Sequence, residues 1–321
     1  MTWITWRRYR VRMILLALYV VVLVISMFIT EHAYVIAQHT FPGGTAVNNA
    51  RFDDSIVAVA LMALPLLIGL ILGTPLVAAE FAAKTNRLAW LQGVTRTKWL
   101  LQAWLTLALP TIAVMALLSP LVQWWASRIS LSAGSDGGLI QPAQMVISGI
   151  DPIALALFTL TLGMCIGIVC RRFLSPYATS VVGIGGVMVL MPTKVLSSLA
   201  PKVVVPLKSG IATFSRSPGP NPWLITTGFR RVAGFHAGPH SLSVSAAVQY
   251  CSYPNHWSQY VGNGSSKGYG ACMNAHRLQM ISIYQPASHY WMLQWREAGI
   301  YVALAAALLG LSVWAVRRWS A

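Results

Sequence analysis

Few residue types in this chain can do chemistry, and their spacing limits what they can do. The four cysteines stand at 165, 170, 251 and 272. Cys165 and Cys170 are five apart on a predicted helix, about 140° round its axis, so they do not bridge each other. They read as small apolar core residues. Cys251 and Cys272 lie in a stretch rich in Gly, Pro, Ser and Asn. A disulfide there would close a loop of about 20 residues and add about 3 kcal/mol in the chain-entropy picture. The seven histidines (His32, His39, His236, His240, His256, His276 and His289) show no recognised zinc spacing. Only His236 and His240 are four apart, and Gly238 and Pro239 between them argue against a helix. No metal site is expected. No Gly-x-x-x-x-Gly-Lys-Ser/Thr loop, His-Glu-x-x-His or Gly-x-Ser-x-Gly occurs. The run GNGSSKG at 262–268 has glycines and a lysine at the wrong spacing. No catalytic constellation is visible, which argues against an enzyme.

The elements that carry these residues follow from composition. Of 321 residues, 56% are hydrophobic and only 9% are charged, against about 25% in a soluble domain. That excludes disorder, a coiled coil and most soluble enzymes. Twenty-three Lys and Arg against seven Asp and Glu give a net charge of +16. The basic residues punctuate long apolar runs, so they mark a membrane topology rather than a nucleic-acid surface.

Six stretches reach the roughly 20 apolar residues that a spanning helix needs. They are Val11–Thr30, Ser55–Ala79, Leu100–Val122, Pro152–Cys170, Ser175–Leu196 and Ala298–Val316. The first has a basic flank like a signal peptide, but its apolar run is too long and no small-x-small cleavage site follows. Basic residues favour the cytoplasmic side of short loops. With the N-terminus inside, twelve fall there: Arg7, Arg8, Arg10, Arg12, Lys84, Arg87, Arg96, Lys98, Arg171, Arg172, Arg317 and Arg318. Only Arg51 and Arg128 fall in the short outer loops. The expected protein sits in the cell membrane with both termini cytoplasmic. Trp99, Trp124, Trp125, Trp291, Trp295 and Trp314 fit interfacial anchors at the span ends.

The expected fold is an all-α membrane protein with six transmembrane helices, an N-terminal interfacial helix and an irregular extracellular domain between helices five and six. Residues 1–198 would carry the first five helices and a cytoplasmic helix at 80–92. Residues 199–294 would form the extracellular domain, with short helices and a hairpin, stapled by Cys251–Cys272 on the oxidising side. Residues 295–321 would hold the last helix and a cytoplasmic tail. Met1–Arg12 alternates aromatic and aliphatic residues with arginine, as in a helix lying on the inner surface. In the inner loop, Glu80 and Lys84 are an i, i+4 pair, and Phe81, Lys84, Leu88 and Leu91 share a helix face, which reads either as a docking surface or as a face lying on the bilayer. Gly69/Gly73 and Gly163/Gly167 are two Gly-x-x-x-Gly pairs, and Gly183, Gly185 and Gly186 crowd the fifth span. Small residues allow close helix approach. No acid lies deep in a span read this way, which weakens a proton-coupled carrier.

This arrangement resembles the ABC-2-type transporter permeases. LGTPLVAAEFAAKTNRLAWLQGVTRTKWL at 72–100 is similar to a run in actinobacterial members, carried here by Glu80, Thr85, Ala89, Trp90, Gln92, Thr95, Arg96, Trp99 and Leu100. YQPASHYWMLQWREAGIYVALAAALLG at 284–310 resembles the lead into their last span. The resemblance implies an exporter of two permeases and two separate ABC ATPase subunits. ATP and Mg would be bound by the ATPase, with no cofactor in this chain. Glu80, Phe81, Lys84, Arg87, Leu88 and Leu91 would form a coupling helix on the ATPase. Spans two and five would line the path or pack beside it, through Pro65, Gly69, Gly73, Pro75, Gly183, Gly185, Gly186 and Met188. The partners implied are the ATPase in two copies, a second permease and membrane lipids, with no nucleic acid. The cargo class would be amphipathic: a drug, peptide or lipid-like molecule. The competing reading is a membrane-anchored receptor or immunity protein that binds an external peptide through residues 199–294 without transport.

Overall fold

The computed structural model describes residues 2–40, 45–82, 95–128, 142–170, 175–206, 223–231, 243–252 and 266–319. They fall into two compact units. One comprises Met1–Leu131, Pro142–Leu199 and Tyr290–Ala321, and the other Ser132–Gln141 and Ala200–His289.

The first unit is a helical bundle. Its elements are α1 (Thr2–Thr40), α2 (Thr45–Ile68), a π turn (Gly69–Gly73), α3 (Thr74–Ala82), α4 (Arg96–Arg128), α5 (Pro142–Ile147), α6 (Asp151–Val169), α7 (Ser175–Leu190), a second π turn (Met191–Val195) and α10 (Tyr290–Trp319). Among the described residues six helical stretches are long and apolar enough to cross a membrane: Tyr9–Ala37, Phe52–Ala78, Arg96–Ser127, Asp151–Val169, Pro176–Val195 and Ala287–Arg318. In lipid, backbone groups must be satisfied within the segment, and a helix does this. Proline is tolerated where neighbouring groups compensate. α4 contains Pro110 and Pro120, which remove the helical donors of the Thr106 and Ala116 carbonyls; separately, the Thr106 and Thr111 hydroxyls are themselves satisfied within the helix by the carbonyls of Gln102 and Leu107 at 2.7 and 2.8 Å.

α6 is the hub. It packs against α10, the first π turn, α3, α4 and α2. Leu155, Phe158, Leu160 and Met164 are buried, as expected of a helix apolar all round. Outer helices do the opposite. Ile14, Leu18, Val22, Ile25 and Ile29 of α1 are each more than half exposed, a stripe that water would not tolerate and lipid would.

Two features differ from the sequence expectation. Residues 2–12 are not a separate interfacial helix; they run without a break into the first span as the opening turns of α1. Three acids are also buried in the bundle: Asp54, Asp151 and Glu297, each at most 1% exposed. Each sits one residue before a span as read from hydropathy, because that reading stops at a charge.

The second unit contains β1 (Val203–Pro206), β2 (Trp223–Arg231), α8 (Val244–Ser252), α9 (Ser266–Ala275) and β3 (Leu278–Gln285). Its sheet has the order β1-β3-β2, both pairings antiparallel, with Val203 opposite Tyr284 and Arg231 opposite Leu278. An irregularity falls between Leu224 and Thr226. A sheet therefore stands where the sequence read an irregular domain with a hairpin. Cys251 and Cys272 are disulfide-bonded, with Cα atoms 5.8 Å apart, and tie α8 to α9. Ala247, both half-cystines, Met273 and Leu278 form the small core there.

Candidate functional site

Two constructions in the bundle stand out, a glycine seam and a polar knot. The seam joins the first π turn and α3 to α6. A Cβ built on Gly163 would lie 2.4 Å from the Gly69 carbonyl oxygen. One on Gly167 would lie 2.5 Å from Thr74 O, and one on Gly73 would lie 2.4 Å from Leu160 O. The two Gly-x-x-x-Gly pairs thus face each other, and only the absence of side chains lets the backbones approach so closely. Hydrogen bonds flank the contact. Thr159 Oγ1 donates to Pro65 O at 2.7 Å, and Thr74 Oγ1 lies 3.0 Å from Ser180 Oγ on α7. Tyr9 OH donates to Pro75 O at 2.9 Å.

The residues expected on a path or in packing therefore separate. Pro65, Gly69, Gly73 and Pro75 are buried in this seam. Gly183 makes ordinary contacts with Ile166 and Leu162 at 3.7 and 3.8 Å. Nothing lies within 4 Å of a Cβ on Gly185 or Gly186. Met188 packs partly against the cluster of Phe158, Met191 and Tyr301.

The polar knot surrounds Gln294 of α10. Its Oε1 accepts from the backbone N–H groups of Ile150 and Asp151 at 2.8 and 3.1 Å. Its Nε2 donates to Met145 O and Ser148 O at 3.2 and 3.1 Å. One side chain thereby serves both the orphan donors that begin α6 and two carbonyls at the end of α5. Gly149 makes the turn between them, with φ +77°. A Cβ there would meet Gln294 Oε1 at 2.5 Å and Tyr290 OH at 2.8 Å, so both conformation and space require glycine. Ser119 Oγ of α4 donates to Gly149 O at 2.5 Å, and Ser148 Oγ lies 3.3 Å from Tyr290 OH.

Beside the knot sit Asp151 and Glu297. Glu297 is three residues beyond Gln294, on the same face of α10. Its Oε1 accepts from Tyr301 OH at 3.1 Å. Its Oε2, both Asp151 oxygens and those of Asp54 have no ordinary donor among the described residues, but the Asp151 and Glu297 carboxyls lie against each other, with the Ala298 N–H beside Asp151, and Asp54 lies beside Thr30. Buried carboxyls are rare in a membrane bundle, and they mark places of functional interest. Sequence reasoning passed over Gln294, Gly149, Ser148 and both acids. The available signal was the polar pair Gln294–Glu297 close to a long apolar run.

Comparison with known proteins bears on the same unit. A family model described as ABC-2 membrane transporter related matches residues 10–196, more than half of the chain. The chain belongs to that family. Neither the curated proteins nor the solved structures give a match. The match runs from α1 to α7, including the whole glycine seam, and ends before the Ala200–His289 part of the second unit. The protein is a multi-pass membrane permease of the ABC transporter class, whose family members are transport subunits.

Within this permease, Glu80 and Phe81 belong to the last turns of α3. Lys84, Arg87, Leu88 and Leu91 lie outside the described residues, as does most of the segment 80–92 where the sequence predicts a helix. The basic residues of three chain segments meet at one end of the bundle. Arg317 Nε of α10 donates to Thr97 Oγ1 of α4 at 3.0 Å, and α1 runs parallel to α4, with Trp125 Nε1 donating to Thr30 Oγ1 near their far ends and Arg10 and Pro110 lining one groove nearer their basic starts. In the second unit, Cys251, Cys272 and His276 place ligand atoms within 4.8 Å of one another. The two sulfurs are consumed by the disulfide, which leaves no thiolate pair to hold a metal.

Proposed function

We propose that the permease is the membrane-spanning half of an ATP-driven exporter. It works as a dimer with two copies of a separate ABC ATPase and moves an amphipathic drug, peptide or lipid-like molecule out of the cell. The observation that carries this reading is the family match over residues 10–196. Six apolar helices and basic residues gathered at one end of the bundle support it.

In this reading the basic end is cytoplasmic, with both termini there. ATP and Mg are held by the partner ATPase. The segment 80–92 is the coupling helix, with Glu80, Phe81, Lys84, Arg87, Leu88 and Leu91 at the contact. Closure of the ATPase dimer pulls this helix and, through α3, loads the glycine seam. The packed positions Pro65, Gly69, Gly73 and Pro75 transmit the movement to α6. The open positions Gly185 and Gly186, together with Gly183 and Met188, border the path. The second unit belongs to the outer side of the membrane.

Co-expression with an ABC ATPase supplies the test. Affinity capture of the permease is expected to retain the ATPase, and deleting residues 81–91 is expected to abolish both retention and ATP-dependent flux in vesicles. Intact flux after the deletion refutes the coupling role. Binding of an external peptide with no ATPase and no flux favours the receptor reading instead.

A further inference from the structure

An apolar groove of about 240 Å³ opens between α1, the α2–π turn segment and α4. Its walls include Ile14, Ala17 and Val20 of α1, Leu64 and Leu72 opposite, and Val114 of α4. Both helix irregularities of this region border it: the π turn through Leu72 and the α4 proline through Pro110. Among the described residues, the one charged side chain in the lining is Arg10.

Length, charge and volume together select an occupant. From Arg10 to Val20, α1 rises about 15 Å, half of the roughly 30 Å hydrocarbon thickness. α2 runs antiparallel to α1, as the bonds from Tyr9 OH to Pro75 O and from Tyr19 OH to Ala60 O require. Leu72 therefore belongs to the Arg10 end of the groove and Leu64 to the Val20 end. The groove runs from the basic end of the bundle to the middle of the membrane, the depth of one leaflet. Arg10 is exposed, and among the described residues it has no hydrogen bond or ion pair. Its neighbours in sequence are Arg7, Arg8 and Arg12, and no acid occurs before Glu31. The volume falls below the roughly 300–1,000 Å³ of sites that enclose a drug-sized molecule, but it suits a single chain.

We propose that this groove is a lipid site, taking one acyl chain of an anionic phospholipid along α1 with the phosphate on Arg10. The lipid replaces side chains that α1, α2 and α4 do not supply, and it fastens α1 to the bundle from the basic leaflet. The site depends on neither the ATPase nor a transported molecule, so it stands or falls separately from the export reading.

The test uses the full-length permease in mild detergent, offered equal amounts of phosphatidylglycerol and phosphatidylcholine with the same chains. Bound lipid is read by native mass spectrometry. Wild-type protein is expected to retain one phosphatidylglycerol in preference to phosphatidylcholine. Arg10→Gln is expected to reduce that preference about fivefold, the worth of one basic residue at an anionic surface. Ala17→Phe, at an exposed position of the groove wall, is expected to lower retention of both lipids. Far-ultraviolet circular dichroism checks that both variants keep wild-type helix content. Equal retention of the two lipids by wild type overturns the proposal, as does unchanged selectivity in Arg10→Gln. So does Ala17→Phe if it leaves lipid counts intact but splits a dimer, which would make the groove a contact between two copies.

Discussion

Replacing Gln294 by leucine is expected to cost about 2–4 kcal/mol of stability. The side chain makes four hydrogen bonds, to Ile150 N, Asp151 N, Met145 O and Ser148 O. Interhelical hydrogen bonds in membrane proteins average about 0.6 kcal/mol each, which sets the lower figure. An unsatisfied buried group costs about 1–3 kcal/mol, and at the end of a span water can relieve part of that, which sets the upper one. Leucine keeps much of the volume, so packing loss is a minor part. Gln294→Glu separates the two halves of the bond set. A carboxylate still accepts from the two N–H groups, but it faces two carbonyls without a proton to offer and adds a third acid beside Asp151 and Glu297. It is expected to be no better than leucine. Trp295→Leu, one residue away and 65% exposed, serves as control and is expected to stay within about 0.5 kcal/mol. The assay is reversible unfolding of the purified permease in mixed lipid–detergent micelles, followed by circular dichroism. A Gln294→Leu loss no larger than the Trp295 control, or a Gln294→Glu variant as stable as wild type, refutes the claim that this side chain joins α5, α6 and α10.

Gly163→Ala inserts a methyl 2.4 Å from Gly69 O, so it should destabilise by about 1–3 kcal/mol through overpacking, whereas Gly186→Ala, with open space around it, should be neutral or stabilising by up to about 1 kcal/mol. The same unfolding assay ranks them, and equal effects would count against the seam. Asp151→Asn removes one acid of the buried Asp151–Glu297 pair while an amide can still bond its neighbour, and it should leave stability unchanged or raise it; a loss above about 1.5 kcal/mol would show that the carboxyl itself is needed in the folded bundle. Cys251→Ser should cost about 2–5 kcal/mol in the second unit, read as faster proteolysis within residues 200–289, with the helical bundle's circular dichroism unchanged.

The spans were legible because the membrane's demand is local: each needs its own run of apolar residues, whatever the rest of the chain does. The seam was half legible. Both Gly-x-x-x-Gly pairs show in the sequence, but nothing in their spacing says that Gly163 meets Gly69 across a π turn rather than a lipid or a second copy. Gln294 was not legible, since its four partners lie 143 to 149 residues away and glutamine near a span edge is unremarkable. The three buried acids were hidden by the reading itself. Hydropathy ends a span at the first charge, so Asp54, Asp151 and Glu297 became boundaries, although burial carries the helices past them. The second unit's sheet was obscured because β3 pairs with strands far away in sequence, the more distant being β1, where Val203 faces Tyr284, and because one pairing is interrupted at Leu224.

The glycine seam also sets a unit of movement. Ordinary helix contacts can creep, because long side chains change rotamer and refill the gap as the backbones slide. Where carbonyl oxygen meets Cα directly, as at Gly163 and Gly73, no rotamers are available to absorb a partial shift, and half a step puts a Cβ against a carbonyl. Fresh registers recur only at the glycine spacing of four residues, about 6 Å along the axis. α3 and α6 are therefore packed to resist a partial slide rather than to absorb one.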